Sequence, residues 1–243
     1  MNLIVDIGNT QAKFAVFEGD HMKEESACVL SEAIEVFNKL HASFPMLSKA
    51  IISSTANIPD LLEKNLSQSL ELIHFSHQST LNFTNTYGTP ETLGLDRLAL
   101  VAAAVEVYPQ KNVLVIDAGT CITYDFVDEN SVYQGGAISA GLQMRYKAMH
   151  TYTDKLPLLN LTSPPLSYIG KSTNEAMHIG VYKSIIYEIE AYINHYNADY
   201  EDLTVVLTGG DYYLLSASIK NSIFATSNFI WKGLNKILQL NSN

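Results

Sequence analysis

Hydrophobic and polar positions fall into blocks that change period along the chain. Residues 3 to 6 (LIVD) are an apolar run that stops at an acid and a turn, and residues 11 to 17 (QAKFAVF) resume with rough alternation, which predicts a β-hairpin. Residues 32 to 41 and 58 to 70 have helical composition and spacing, with a short strand between them at Ala50 to Ser53 and another after them at Leu72 to Phe75. A polar stretch from Ser76 to Pro90 leads into a helix near Leu95 to Tyr108 that Pro109 ends.

The pattern restarts at Asn112. VLVIDAGT (113 to 120), ITYDFV (122 to 127) and VYQGGAI (132 to 138) read as three strands, followed by a helix around Gly141 to Thr151. Ser172 with Glu175 is a capping box for a helix to about Tyr196, whose Met177, Val181, Ile185, Ile189 and Ile193 form a ridge in steps of four. Strand TVVLT (204 to 208), a Gly209-Gly210-Asp211 turn, mixed structure and an amphipathic helix complete the chain.

The second half repeats the first in residues as well as in element order. The segment from Leu3 through Asp6 and Gly8 to Thr10 recurs from Val113 through Asp117 and Gly119 to Thr120. A period close to half the chain means two similar domains rather than a solenoid. The expected division is 1–110 and 111–243, two lobes with a cleft between them.

Composition narrows the function. The 243 residues suit one large domain or two modest ones, and apolar residues at 47% with charged residues at only 16% indicate a folded chain with much buried surface. A net charge of −10 disfavours a general nucleic-acid binder, so any phosphate should be held locally by backbone N–H groups and a bound cation. Only Cys28 and Cys121 are present, which excludes a disulfide framework and a CxxC metal pair. His74 and His77 make a poor metal pair. With no basic leader and no apolar run near the ~18 residues of a membrane span, a cytoplasmic protein is expected.

Three segments carry chemistry. In Asp6-Ile7-Gly8-Asn9-Thr10-Gln11-Ala12-Lys13, a strand-end carboxylate needs a cation or donors, and the small residues after it let backbone approach phosphate oxygens. Asp6 is a candidate to hold Mg²⁺ through water, with Thr10 and Lys13 near the phosphates; an ordinary hairpin turn is the plain alternative. Asp117-Ala118-Gly119-Thr120 is a second such hairpin. Paired hairpins of this kind are the phosphate loops of the superfamily that contains actin, sugar kinases and acetate kinase. The element order also resembles that α/β fold, two tandem ribonuclease H-like domains with a nucleotide cleft between them. Gly209-Gly210 sits where that superfamily commonly places an adenosine contact. Neither a P-loop nor a GxGxxG unit competes, since Pro165 stands where the first P-loop glycine is required. The third segment runs from Tyr87 through Pro90 to Gly94-Leu95-Asp96-Arg97. Arg97 there could pair with an anionic substrate group, and Asp96 could accept the proton of an attacking hydroxyl.

Taken together, DIGNTxxK, YxxPxxLGxDR, DAGTxxTxD, the GGxIxxG at 135 to 141, TDKLP at 153 to 157 and STNEAMHIG around Thr173 resemble type III pantothenate kinase, in order from residue 3 to about 183. The resemblance implies ATP-dependent phosphorylation of pantothenate to 4′-phosphopantothenate, with Mg²⁺, a monovalent cation (K⁺ or NH₄⁺) and a homodimer. It implies ATP contacts from Asp6 to Lys13 and from Thr120, and the monovalent cation at Asp117. Pantothenate contacts are implied for Tyr87, Gly94, Leu95, Asp96, Arg97 and Thr173, with Asp96 as proton acceptor. Departures from the family pattern are Ala140, where proline is usual, Asp154 and Cys121. Ala140 is expected to leave its loop less restrained. A kinase of the same fold acting on a sugar or short acid, and a noncatalytic regulatory relative, are the rival functions.

Overall fold

The computed structural model describes residues 1–54 and 57–242, which divide into two compact units: Met1–Val107 joined by the C-terminal segment from Phe229, and Tyr108–Asn228. In the first unit, β1 (Asn2–Ile7) pairs antiparallel with β2 (Gln11–Glu18), and β2 with β3 (His21–Val29). On its other side β1 runs parallel to β4 (Lys49–Ser54), which is parallel to β5 (Glu71–His74). The order is β3-β2-β1-β4-β5. A continuous apolar run in β1 is what a strand buried on both faces requires. Leu3, Val5 and Ile7 face Phe37 and Leu40 of α1 (Ala33–Ser43) and Leu62 and Leu66 of α2 (Asp60–Ser69) in one core. A short strand, β6 (Thr84–Asn85), precedes α3 (Leu95–Val107).

In the second unit, β7 (Val113–Ala118), β8 (Cys121–Val127) and β9 (Val132–Ala140) form the antiparallel meander. After α4 (Leu142–Thr151) and α5 (Thr173–Asp199), β10 (Thr204–Thr208) returns parallel to β7. A short α6 (Tyr212–Ser216) leads to β11 (Phe224–Ala225), parallel to β10. The order β9-β8-β7-β10-β11 repeats that of the first unit strand for strand. The four-step ridge of α5 is buried against Leu114, Ile116, Tyr124 and Leu207, as its spacing predicts. Ser172 caps α5 by accepting from the Glu175 N–H at 3.3 Å, but the Glu175 carboxylate accepts in return from the N–H of Lys171 rather than from that of Ser172.

Two features depart from expectation. Strand β3 is absent from the sequence reading, because nearly all its residues are exposed and it shows no apolar alternation. Helix α7 (Phe229–Asn241) packs with the first unit rather than the second. Its Trp231, Leu234, Ile237 and Leu238 are buried, and α3 meets it closely: a Cβ on Gly233 would lie 1.8 Å from the carbonyl oxygen of Ala99. Asn235 fixes it further, donating to the Gly19 carbonyl and accepting from Asn2.

Candidate active site

Within the first unit, the β1–β2 turn presents residues 6 to 13. Ile7 and Ala12 are fully buried in the core, so only their backbone can serve a ligand, and the Gly8 N–H is already given to the Gln11 carbonyl at 2.9 Å. Asn9, Thr10, Gln11 and Lys13 are exposed. Across the sheet Asp6 stands in register between Lys13 on β2 and Ser53 on β4. Burial raises the Asp6 pKa above the ordinary carboxylate range; the Lys13 ammonium opposes that shift and the Asp96 carboxylate adds to it. Asp6 and Asp96 therefore share one electrostatic neighbourhood.

Asp96 lies in the first turn of α3, exposed, with Oδ1 accepting the Arg97 N–H at 2.8 Å. Gly94 leaves room for it, since a Cβ there would displace that same oxygen. Arg97 does not project beside Asp96. It is 4% exposed, and its guanidinium carbon lies 5.7 Å from the centroid of the half-buried Tyr87 ring. Buried Leu93, whose carbonyl meets His77 Nε2 at 2.7 Å, anchors the segment between them. His74 pairs with Glu63 instead, and among the described residues no three His, Cys, Asp or Glu side chains converge on a metal position.

Within the second unit, Asp117 stands in register between Thr123 on β8 and Thr208 on β10. Thr123 Oγ1 is buried without a hydrogen-bond partner. Gly209, at φ +94°, closes over the Asp117 carboxylate: a Cβ there would lie 2.3 Å from Oδ1. One carboxylate with flanking hydroxyls is the hard oxygen set an alkali cation accepts, and an orphaned buried hydroxyl fits such an ion. Asp211 follows this turn, its N–H bonded to the Ala118 carbonyl at 2.9 Å and its acid pKa raised by burial.

Thr120 is exposed at the tip of the β7–β8 turn. Its carbonyl accepts the Gly141 N–H at 3.1 Å, and a Cβ on Gly141 would clash with the carbonyls of Gly119 and Thr120. The loop at Ala140 is not loose. Arg145 Nε donates to the Ala140 carbonyl at 2.8 Å, and its Nη2 donates to Ser139 Oγ at 3.1 Å and to Glu188 at 2.6 Å. Glu188 also accepts from the Tyr124 hydroxyl at 2.8 Å. A guanidinium thus supplies the restraint that proline would give. Arg145, Thr123, Thr208 and Gly209's closure over Asp117 escaped sequence reasoning because each acts through register or a through-space contact. Thr173 is exposed as the first residue of α5. Near it a hollow of about 390 Å³ is lined by Pro164, Pro165, Leu166, Ile169, His178 and Ile179.

The family model for type III pantothenate kinase matches residues 2–195. A protein of that name from Christiangramia forsetii is 47% identical over 241 residues, 99% of each chain, and one from Flavobacterium johnsoniae is 44% identical over 98% of each. Among solved structures, a glucokinase from an Antarctic psychrotroph superposes with a TM-score of 0.54 over 98% of both chains at 12% identity, a likeness of fold. With two ribonuclease H-like sheets, each carrying an acid at the end of its first strand, and full-length relatives of one name, this chain belongs to the type III pantothenate kinase family.

Proposed function

We propose that the protein transfers the γ-phosphoryl group of ATP to the hydroxyl of pantothenate, giving 4′-phosphopantothenate, the first step towards coenzyme A. The observation that carries this is the family match over residues 2–195, joined to the placement in one unit of the Asp6 turn and of Asp96, held at the start of α3 by the Arg97 N–H. Gly8 to Lys13 and Thr120 hold the triphosphate. Asp6 would hold Mg²⁺, which when bound would supply positive charge against the phosphate oxygens. Asp96 has one oxygen tied to the Arg97 N–H, which fixes the carboxylate and leaves Oδ2 to accept the hydroxyl proton. Because phosphoryl transfer passes through a loose transition state, orienting the hydroxyl matters more than stripping it early.

Tyr87, Gly94 and Leu95 with Thr173 contact pantothenate. Arg97, stacked on Tyr87, steadies that ring and gives the anionic substrate positive potential. Asp117 with its flanking hydroxyls would hold K⁺ or NH₄⁺. The free thiols of Cys28 and Cys121 suit the cytoplasm, and among the described residues no helix is long and apolar enough to cross a membrane. Leu166, 98% exposed, with exposed Tyr168 and Ile169 marks a surface suited to a second copy of the chain, so a homodimer is the working assembly.

A substrate panel tests the reaction. ADP release should require pantothenate and stay at background with glucose or acetate; equal release with glucose would assign the protein to the sugar kinases of this fold.

A further inference from the structure

The repeat between the two units fails by one residue and one charge at the phosphate turns. In the first unit the row across β2, β1 and β4 reads Lys13, Asp6, Ser53. In the second, the equivalent row across β8, β7 and β10 reads Thr123, Asp117, Thr208. The second turn is one residue shorter, so the position paired with the strand-end acid is filled by a threonine where the first turn has an ammonium.

The surroundings of Asp117 fit that loss. Thr123 is 9% exposed and its Oγ1 is buried with no hydrogen-bond partner, although it shares a sheet face with the carboxylate. Thr208 is buried on the other side, and Gly209 leaves no side chain to fill the space against Oδ1. A hydroxyl can ligate a cation but cannot replace one.

We infer that Thr123 sets the monovalent-cation requirement: K⁺ occupies, in the second turn, the place that the Lys13 ammonium takes in the first, held by the Asp117 carboxylate and Thr123 Oγ1. This rests on the assignment of the monovalent cation to Asp117, and it adds the second ligand and the reason the cation is needed.

The test is thermal melting of the wild type, Thr123→Val, Thr123→Ser and Thr123→Lys with a non-hydrolysable ATP analogue, in KCl titrated against choline chloride at fixed ionic strength, alongside pantothenate turnover. Wild type and Thr123→Ser should show the same K⁺-dependent rise in melting temperature. Thr123→Val should need about 10-fold or more additional K⁺ for half the effect, the scale on which lost supporting contacts weaken metal sites. Thr123→Lys should melt and turn over independently of K⁺. If Thr123→Val matches the wild-type K⁺ titration, the inference is overturned. If Thr123→Lys does not fold by circular dichroism, the valine and serine variants decide. A wild type that phosphorylates pantothenate with no K⁺ effect on melting or rate removes the cation from Asp117 and the inference with it. A Thr123-dependent K⁺ effect without pantothenate turnover upholds the inference and removes the reaction.

Discussion

Asp6 shows what a partly buried acid does to this molecule before any ligand arrives. Its pKa is raised in the folded state, chiefly by burial. The folded protein therefore binds a proton more readily than the unfolded chain between the ordinary aspartate value of 3.8 and the higher folded value, and stability falls as pH rises through that window. Asp6→Asn should raise the melting temperature of the ligand-free protein at neutral pH, by about 2–4 °C for each ~1 kcal/mol relieved, while abolishing ATP binding. The gap between variant and wild type should close as pH is lowered towards the ordinary aspartate range. A wild type that melts above the variant at pH 7 would show that Asp6 is stabilised by its neighbours instead. The placement of Asp6 and Asp117 near strand ends and of Asp96 at a helix start is legible in the sequence and is where the structure has them. The burial of Arg97 was not, because a side chain reaching back over Tyr87 leaves no periodic signal.

At the scale of elements, turns are held by groups distant in sequence. The Thr120 turn leans on Gly141, and the residues just before Gly141 are bonded by Arg145, itself paired with Glu188 on α5. Arg145→Met removes several bonds from a charged donor and should destabilise the protein by about 1–3 kcal/mol in urea unfolding. The same variant should raise the KM for ATP several-fold and leave that for pantothenate nearly unchanged; equal rises in both would mean general loosening rather than a displaced turn. Helix α7 gives a second case. Gly233→Ala forces α3 and α7 apart and should cost about 1–3 kcal/mol, the usual range for overpacking, and an unaltered melting temperature would mean the helices slide freely. Apolar runs predicted β1, β7 and β10 because strands buried on both faces announce themselves. Edge strand β3 did not, since its polar residues satisfy solvent on both faces. The amphipathic character of α7 was legible, but not the face that receives it.

For the whole molecule, a net charge of −10 with few basic residues sets the problem of holding a polyanion. The proposed answer is local: one ammonium in the first turn and, in the second, the position assigned above to a small cation. Duplication was visible in the sequence because both copies keep the acid and the glycine. The difference between the copies needed the strand register, since a turn shortened by one residue shifts every pairing beyond it. The proposed reaction can be measured in a single assay. ATP labelled in its γ-phosphate is mixed with pantothenate and either wild type or Asp96→Asn, following transfer of label and, separately, ATP affinity. Wild type should pass the label to pantothenate, and Asp96→Asn should bind ATP almost unchanged while transfer falls by about 10²–10⁴. Label absent from pantothenate with the wild type, or transfer at the wild-type rate by Asp96→Asn, would contradict the account.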